Sequence, residues 1–408
     1  MVVGNSNLNT IISHHKAYDM ADNLRRSVLL GQFDKIDETI SSSLPGAHNS
    51  NRNHSDVEAE KEDTLGELTN SNDLNVHRRS NEHTVNTEEI ESWETYFEAR
   101  TAVESNQRNM NFNLYYSLPK SQNQSSVPIF IFHHGAGSSG LTFANATKQL
   151  RKKFDDNCAC FSFDARGHGQ TTVMDTTKAI TYNRDDFIQD FLFIISHISD
   201  NILKDVANAK RSVILTGHSL GGSICTFTVA CLPPNIKKQL IGVAMLDIVE
   251  EAAVDALKKV DHFLAATPNV FPSYSEAVEW HIRHGLSKNR ESASIAVPAL
   301  FHKFSSGKVV RITNLSTFKP FWDTWFTGLS HTFVTLPTSK LLVLAGNDNL
   351  DKELIIGQIQ GKYQLVVFQD SGHFIQEDAA LKTALTLKDF LKRNDNKNVV
   401  IHSNWGAK

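Results

Sequence analysis

The stretch Val213-Ile214-Leu215-Thr216-Gly217-His218-Ser219-Leu220-Gly221-Gly222 decides how this chain is read. An apolar run leads into a Gly-x-Ser-x-Gly turn, and the residues from Gly222 onward have helical character. Strand, tight turn and helix in that order are the setting of a nucleophile elbow. In such a turn the serine backbone is strained, and glycines two before and two after it keep Cβ atoms from colliding with the strand and the helix. The serine oxygen is thereby held out at the sheet edge. A Gly-rich turn of no chemical consequence is the alternative for the pentapeptide alone, and the flanking strand and helix weigh against it.

Working outward, apolar runs recur at Val127 to His134, Cys158 to Phe163, Ser212 to Thr216, Ile241 to Leu246, Lys340 to Ala345 and Gln364 to Phe368. Helix-like segments separate them near Leu141 to Phe154, Arg184 to Ile202, Gly222 to Cys231 and Ala379 to Arg393. Strands apolar on both faces and separated by helices predict an α/β fold, a mainly parallel sheet covered on each side. Glu98 to Leu118 is expected to add an antiparallel edge. The interval from Glu250 to about Pro337 breaks this rhythm. It reads as a helical lid insertion of about 250–337 with Phe321, Trp322, Trp325 and Phe326 in it, and a long insertion above strand ends is commonly a lid or a binding surface. We expect Trp322, Trp325 and Phe326 to contact substrate or partner; the alternative is that the rings fill the lid's own core.

Three regions follow from composition. Residues 1–92 form an N-terminal extension, with an amphipathic helix predicted over 16–40 (Leu24, Val28, Leu29, Phe33, Ile36 and Ile40 near one face). Ser41 to Glu91, rich in Ser, Asn, Asp, Glu and His, is too polar to offset chain entropy and reads as a disordered linker. Residues 93–395 are the globular domain, and 396–408 a tail. With Lys+Arg 41 against Asp+Glu 45, a formal charge of -4 and no basic run interleaved with aromatics, nucleic-acid binding is disfavoured. Cys158, Cys160, Cys225 and Cys231 show no zinc or Cys-x-x-Cys spacing and read as reduced, buried thiols. No signal peptide or membrane-spanning run is seen, so a soluble cytoplasmic or nuclear protein is expected.

A serine hydroxyl needs a histidine to take its proton and a carboxylate to fix that histidine's tautomer. Ser219 is the candidate nucleophile. His373, in Gln369-Asp-Ser-Gly-His373-Phe just past the strand ending at Phe368, is the candidate base among 18 histidines. The acid lies either at Asp247, which ends the strand after the elbow helix, or at Asp348 or Asp351 after the next strand; periodicity does not choose. Backbone amides of Leu220 and of Ala136, in the loop His134-Gly-Ala-Gly-Ser138, are the expected oxyanion donors. That loop lacks the lysine of a phosphate cradle, and His133 and His134 read as shaping the turn. Asp164 and Arg166 are expected to pin loops beside the site. No metal or organic cofactor is expected.

At these residues the chain resembles the α/β-hydrolases throughout 93–395, and more closely the protein phosphatase methylesterase family. The resemblance rests on Gly217 to Gly222, Leu246-Asp-Ile-Val-Glu-Glu251 with Asp255-Ala-Leu257, Phe321 to Ser330, Leu342 to Gly346 with Leu350 to Leu354, and Gly357 to Gln364. It implies that Ser219 is the nucleophile, His373 the base and Asp247, in place of Asp348, the acid. It further implies the substrate: the methyl ester on the C-terminal leucine of protein phosphatase 2A catalytic subunits, which would be the partner. Two departures stand out: residues 1–92 align with nothing in the pattern, and His-Gly-Ala-Gly replaces a run of three glycines. Competing readings are another esterase, thioesterase or peptidase on this fold, or a phosphatase-binding regulator without turnover.

Overall fold

A computed structural model describes residues 91–121, 126–204, 210–346 and 350–395. The 16–40 helix, the linker, the 396–408 tail and Asp348 lie outside the described residues. In chain order the strands are β1 (Ala99–Ser105), β2 (Met110–Ser117), β3 (Ser126–His133), β4 (Ala159–Phe163), β5 (Thr172–Val173), β6 (Lys210–His218), β7 (Leu240–Leu246), β8 (Val270–Phe271), β9 (Phe301–Lys303), β10 (Val309–Arg311), β11 (Ser339–Ala345) and β12 (Gln364–Phe368). The large sheet runs β1-β2-β4-β3-β6-β7-β11-β12, with β5 paired to β2. From β4 to β12 every pairing is parallel, and β1 and β2 form the expected antiparallel edge.

The apolar runs become central strands because both of their faces are covered. Ile129, Ile131, Val213, Leu215, Val243, Met245, Leu342 and Leu344 point into one core, shared with the Arg184–His197 and Leu220–Cys231 helices. Their neighbours Phe130, Phe132, Ile214, Ala244, Leu246, Leu341 and Val343 point into the other, where Leu150 of the Ala144–Lys153 helix and Leu387 and Phe390 of the Ala380–Asn394 helix meet them. The period of two in side-chain direction is what splits a continuous apolar run between two layers. Cys158, Cys160 and Cys225 are buried, while Cys231, the last residue of its helix, is exposed because the chain leaves the core there.

The insertion is more than helical. Besides the Glu250–Leu257, Val260–Ala266, Tyr274–Arg283, Arg290–Ala296, Asp323–Phe326 and Leu329–Thr335 helices it holds a three-stranded antiparallel sheet, β8-β10-β9. Its own core is Phe271, Ala277, Val278, Ala293, Val297, Phe301 and Val309. Trp322, Trp325 and Phe326 are not in that core, nor do they face outward. They are buried in the main core of the sheet. The Trp325 indole N–H donates to the Tyr182 carbonyl at 2.7 Å, and Ser223 Oγ donates to the Trp325 carbonyl at 2.5 Å. In this conformation the rings anchor the insertion to the helices beneath it, which corrects the expectation that they meet a partner.

Candidate active site

β3 and β6 are neighbours although β4 lies between them in sequence, and β4 and β6 leave β3 on opposite sides. The crevice at the carboxyl ends of β3 and β6 is therefore a topological switch point, the place where open α/β sheets bind ligands. Registry pairs His133 with Gly217, so the loop after β3 and the elbow after β6 begin side by side.

At the elbow Ser219 has φ 51° and ψ -121°, a strained backbone for a residue with a side chain. Its N–H is held by the Leu246 carbonyl of β7 at 3.0 Å. A Cβ on Gly217 would stand 2.0 Å from the Gly221 carbonyl oxygen, and one on Gly221 2.0 Å from that of His133, so both glycines are sterically required. Among the described residues Ser219 Oγ makes no hydrogen bond, and the residue is partly exposed.

Asp247 follows β7 and also has positive φ, 52°. Its N–H donates to Val343 O at 2.8 Å, and its Oδ1 accepts the Ala345 N–H at 2.8 Å, both from β11. The other oxygen, Oδ2, lies 2.7 Å from His373 Nδ1. A carboxylate there takes the Nδ1 proton, leaving Nε2 of a neutral imidazole as the lone-pair base. Of the competing acids, Asp351 is buried and fully used elsewhere: it caps the Lys352–Ile359 helix through the Leu354 N–H and accepts from Ser330 Oγ.

The His373 loop is tied on two sides. His218 Nε2–H donates to the His373 carbonyl at 2.8 Å, and Asp378 accepts both the Gly372 N–H and, from the insertion, the Lys288 N–H, each at 2.7 Å. Burial, and then the neighbouring His373, push His218 well below the usual histidine range, so it stays neutral and keeps this tautomer. Beside it Glu377 is buried, and burial pushes its carboxyl up to about 8; Thr142 Oγ1 contacts it at 2.5 Å, and Ser292 of the insertion donates to its carbonyl.

The loop after β3 presses against the elbow: a Cβ on Gly135 would lie 3.1 Å from Ser219 Cβ. Of its amides, Gly137 N–H is taken by His168 Nε2 at 2.8 Å, whereas Ala136 N–H has no partner among the described residues and its residue is exposed. Leu220 N–H, first in its helix, is likewise unengaged, as the first amides of a helix are. His168 can accept because its Nδ1–H donates to Arg166 O, and burial holds its pKa well below the usual value. Arg166 in turn is gripped by Asp190, and Asp164 accepts Gly140 N–H and Gln170 N–H. His134, also held neutral by burial, accepts Ala165 N–H. Sequence reasoning missed the bracing by His168, His218 and Asp378. For the first two the available signal was position, one inside Asp164-Ala-Arg-Gly-His-Gly169 and one inside the elbow itself.

A small cavity between this loop and the insertion is walled by Gly137, Ser138, Leu286, Val297, Leu300 and Phe374. Among the described residues no group of His, Cys, Asp and Glu is placed to hold a metal ion, and no helix is long and apolar enough to cross a membrane.

An eight-position parallel-dominated sheet with a serine elbow at its switch point and an Asp–His pair on the following strand ends defines an α/β hydrolase, and residues 130–384 match the Alpha/beta hydrolase family. Solved structures agree on the fold: an E-2-(acetamidomethylene)succinate hydrolase aligns with TM-score 0.55 at 16% identity over 72% of this chain and all of its own. An esterase of M. tuberculosis aligns with TM-score 0.51, also at 16% identity, over 72% and 92%. At the level of sequence the chain is 55% identical to protein phosphatase methylesterase 1 of Candida glabrata over 95% of this chain and 99% of the relative. To the protein of that name from Saccharomyces cerevisiae it is 51% identical over 95% and 98%. The chain belongs to the protein phosphatase methylesterase 1 family, and is a carboxylic-ester hydrolase. Matches over 95% of the chain leave too few residues unmatched for the first 92 to lack a counterpart, which corrects that expectation.

Proposed function

We propose that Ser219, His373 and Asp247 act as an acyl-transfer triad on the C-terminal leucine methyl ester of the protein phosphatase 2A catalytic subunit. Ser219 Oγ attacks the ester carbonyl as His373 Nε2 takes its proton. The amides of Leu220 and Ala136 receive the oxyanion, His373 returns the proton to departing methanol, and a water activated by the same nitrogen frees the carboxylate. The observation that carries the mechanism is the 2.7 Å His373–Asp247 pair beside an unengaged serine held at positive φ. The engagement of Gly137 N–H by His168 favours Ala136 over Gly137 as the second donor. What supports the substrate is the name shared by relatives matched along nearly their whole length. The same reading puts the enzyme in the cytoplasm or nucleus with its substrate, in keeping with its free thiols.

The test is methyl release from methylated phosphatase catalytic subunit, followed by mass spectrometry of its C-terminus. Ser219→Ala should lower kcat on the order of 10⁶-fold with an unchanged melting temperature, and should abolish labelling by a fluorophosphonate. Demethylation by the alanine variant at the wild-type rate would overturn the mechanism.

A further inference from the structure

The three-stranded sheet of the insertion has an inner and an outer face. Paired residues share a face, so Phe271, Val309 and Phe301, all buried, point inward, with Val309 between Phe271 and Lys303 and with Arg311 opposite Phe301. Val270, Val310 and His302, paired with one another, point outward, and two residues beyond His302 comes Phe304. An antiparallel sheet with one face in the core ordinarily carries polar residues on the other. Here Val270 and Phe304 are each 51% exposed, and the Phe304 ring meets His302 edge-on at 5.2 Å.

Charge marks the same hairpin. From Ser292 to Trp322 there is no Asp or Glu, in a chain that has 45 of them among 408 residues. The cations of this stretch are Lys303, Lys308, Arg311 and Lys319. Lys319 pairs with Asp261, whereas Lys303, Lys308 and Arg311 have no carboxylate partner among the described residues. Arg311 stacks over the Phe301 ring, and its Nε is buried without a hydrogen bond. The hairpin stands on the rim of the candidate active site: Leu300, the residue before β9, walls the cavity that reaches Gly137 and Phe374, and its carbonyl accepts the Ile312 N–H that closes the hairpin base at 2.9 Å. Four residues further, roughly 13 Å in extended chain, is Phe304.

We propose that this outer face is the docking surface for the protein that carries the ester, and that it takes an acidic segment of that protein. Apolar side chains of the segment lie on Val270, Val310 and Phe304, and a carboxylate of it meets Lys308, which alternation from Val310 puts on the same face; Lys303 and Arg311, paired with Val309 and Phe301, belong to the inner face. The proposal rests on the reading that the substrate is the phosphatase C-terminal ester. It explains how an enzyme whose reacting group offers only a methyl can discriminate: the recognition energy comes from contacts remote from the bond.

The experiment compares Phe304→Ser and Lys308→Glu with wild type on two substrates, methylated phosphatase catalytic subunit and p-nitrophenyl acetate, after melting curves have shown equal stability. Each variant should raise KM for the phosphatase about tenfold with kcat little changed, and leave the small ester untouched. Wild-type KM for the phosphatase should rise with added NaCl, and that dependence should weaken in Lys308→Glu. If wild type demethylates the phosphatase and both variants match it, the docking surface is overturned and the function stands. If wild type hydrolyses the small ester but leaves the phosphatase untouched, the function reading falls and takes the docking surface with it. Sedimentation of the free enzyme separates the remaining occupant: a dimer that either variant dissociates would mean that a second copy of this chain covers the face, and would overturn the proposal.

Discussion

The carboxyl edge of the large sheet and the inserted segment 250–337 both place apolar side chains next to chemistry, and they use them in opposite ways. At the sheet edge two of the three candidate residues hang from strands fixed by neighbours on both sides, Ser219 from β6 between β3 and β7 and Asp247 from β7 between β6 and β11, while His373 follows the edge strand β12. Partly buried polar groups there brace the strand-end loops, Asp247 holding both the Ala345 N–H and His373, and Asp378 both the Gly372 and Lys288 N–H groups. In the insertion two of the three tryptophans, Trp322 and Trp325, are turned down onto the body as anchors, while smaller apolar residues of a three-stranded sheet face outward. Burial of Trp322 and Trp325 thus marks where the insertion is attached; its exposed apolar residues, Phe304 among them, mark where it is free to meet something.

The sharpest way to break this comparison is at the sheet edge. In Asp247→Asn, keeping Oδ1 on the Ala345 N–H would turn the new amide nitrogen toward His373 Nδ1. An amide N–H there forces Nδ1 to accept, so the proton moves to Nε2 and the base is lost. A fall in kcat of about 10⁴ on p-nitrophenyl acetate is expected, the size seen for the equivalent change in a chymotrypsin-type triad. Asp348→Asn should cost far less; the reverse ranking would move the acid to the later strand.

In the insertion, Trp325→Ala should destabilise the protein by about 3–5 kcal/mol by leaving a cavity in the main core and the Tyr182 carbonyl without its donor. Activity on the phosphatase and on the small ester should fall together as the lid loosens, measured as kcat/KM alongside the melting temperature. A loss confined to the phosphatase, with unchanged melting, would return this ring to substrate contact and collapse the distinction between anchor and docking face.

The smallest expected effect lies at the seam of the two regions. Burial holds Glu377 up to about 8 from an ordinary value of 4.5, so over that interval the folded chain binds a proton that the unfolded chain has released. The stability this contributes is full below about pH 4.5 and drains away as pH rises through 8. Glu377→Gln imitates the protonated form and should flatten the decline, melting a few degrees above wild type at pH 8.5 and level with it at pH 4.5. Parallel melting curves for the two proteins would show that this carboxyl does not bind the insertion to the body in neutral form.

Most of the large sheet was legible because parallel strands buried on both faces leave continuous apolar runs, and these match β3, β4, β6, β7, β11 and β12 closely. The insertion was read as helical because β8, β9 and β10 are two or three residues each, too short for a period of two to register. The position of Ser219 followed from local sequence, since a turn, its strand and its helix are contiguous. Choosing between Asp247 and Asp348 needed either a family pattern or the pairing of β7 with β11, and pairing is a long-range fact. The bracing histidines were invisible for the same reason: His168 and Gly137 are 31 residues apart and meet only through the packing of two strand-end loops.

Two of the few non-glycine residues at positive φ among the described residues are Ser219 and Asp247. Each such backbone costs on the order of 1–3 kcal/mol, and a glycine at either position would relieve it. At 247 the carboxylate repays that cost by holding the Ala345 N–H and His373, whereas the Ser219 hydroxyl makes no hydrogen bond, so in a chain that needed no nucleophile drift toward glycine at 219 would be downhill in free energy. On the proposed mechanism, a serine held there against that gradient is kept for its hydroxyl.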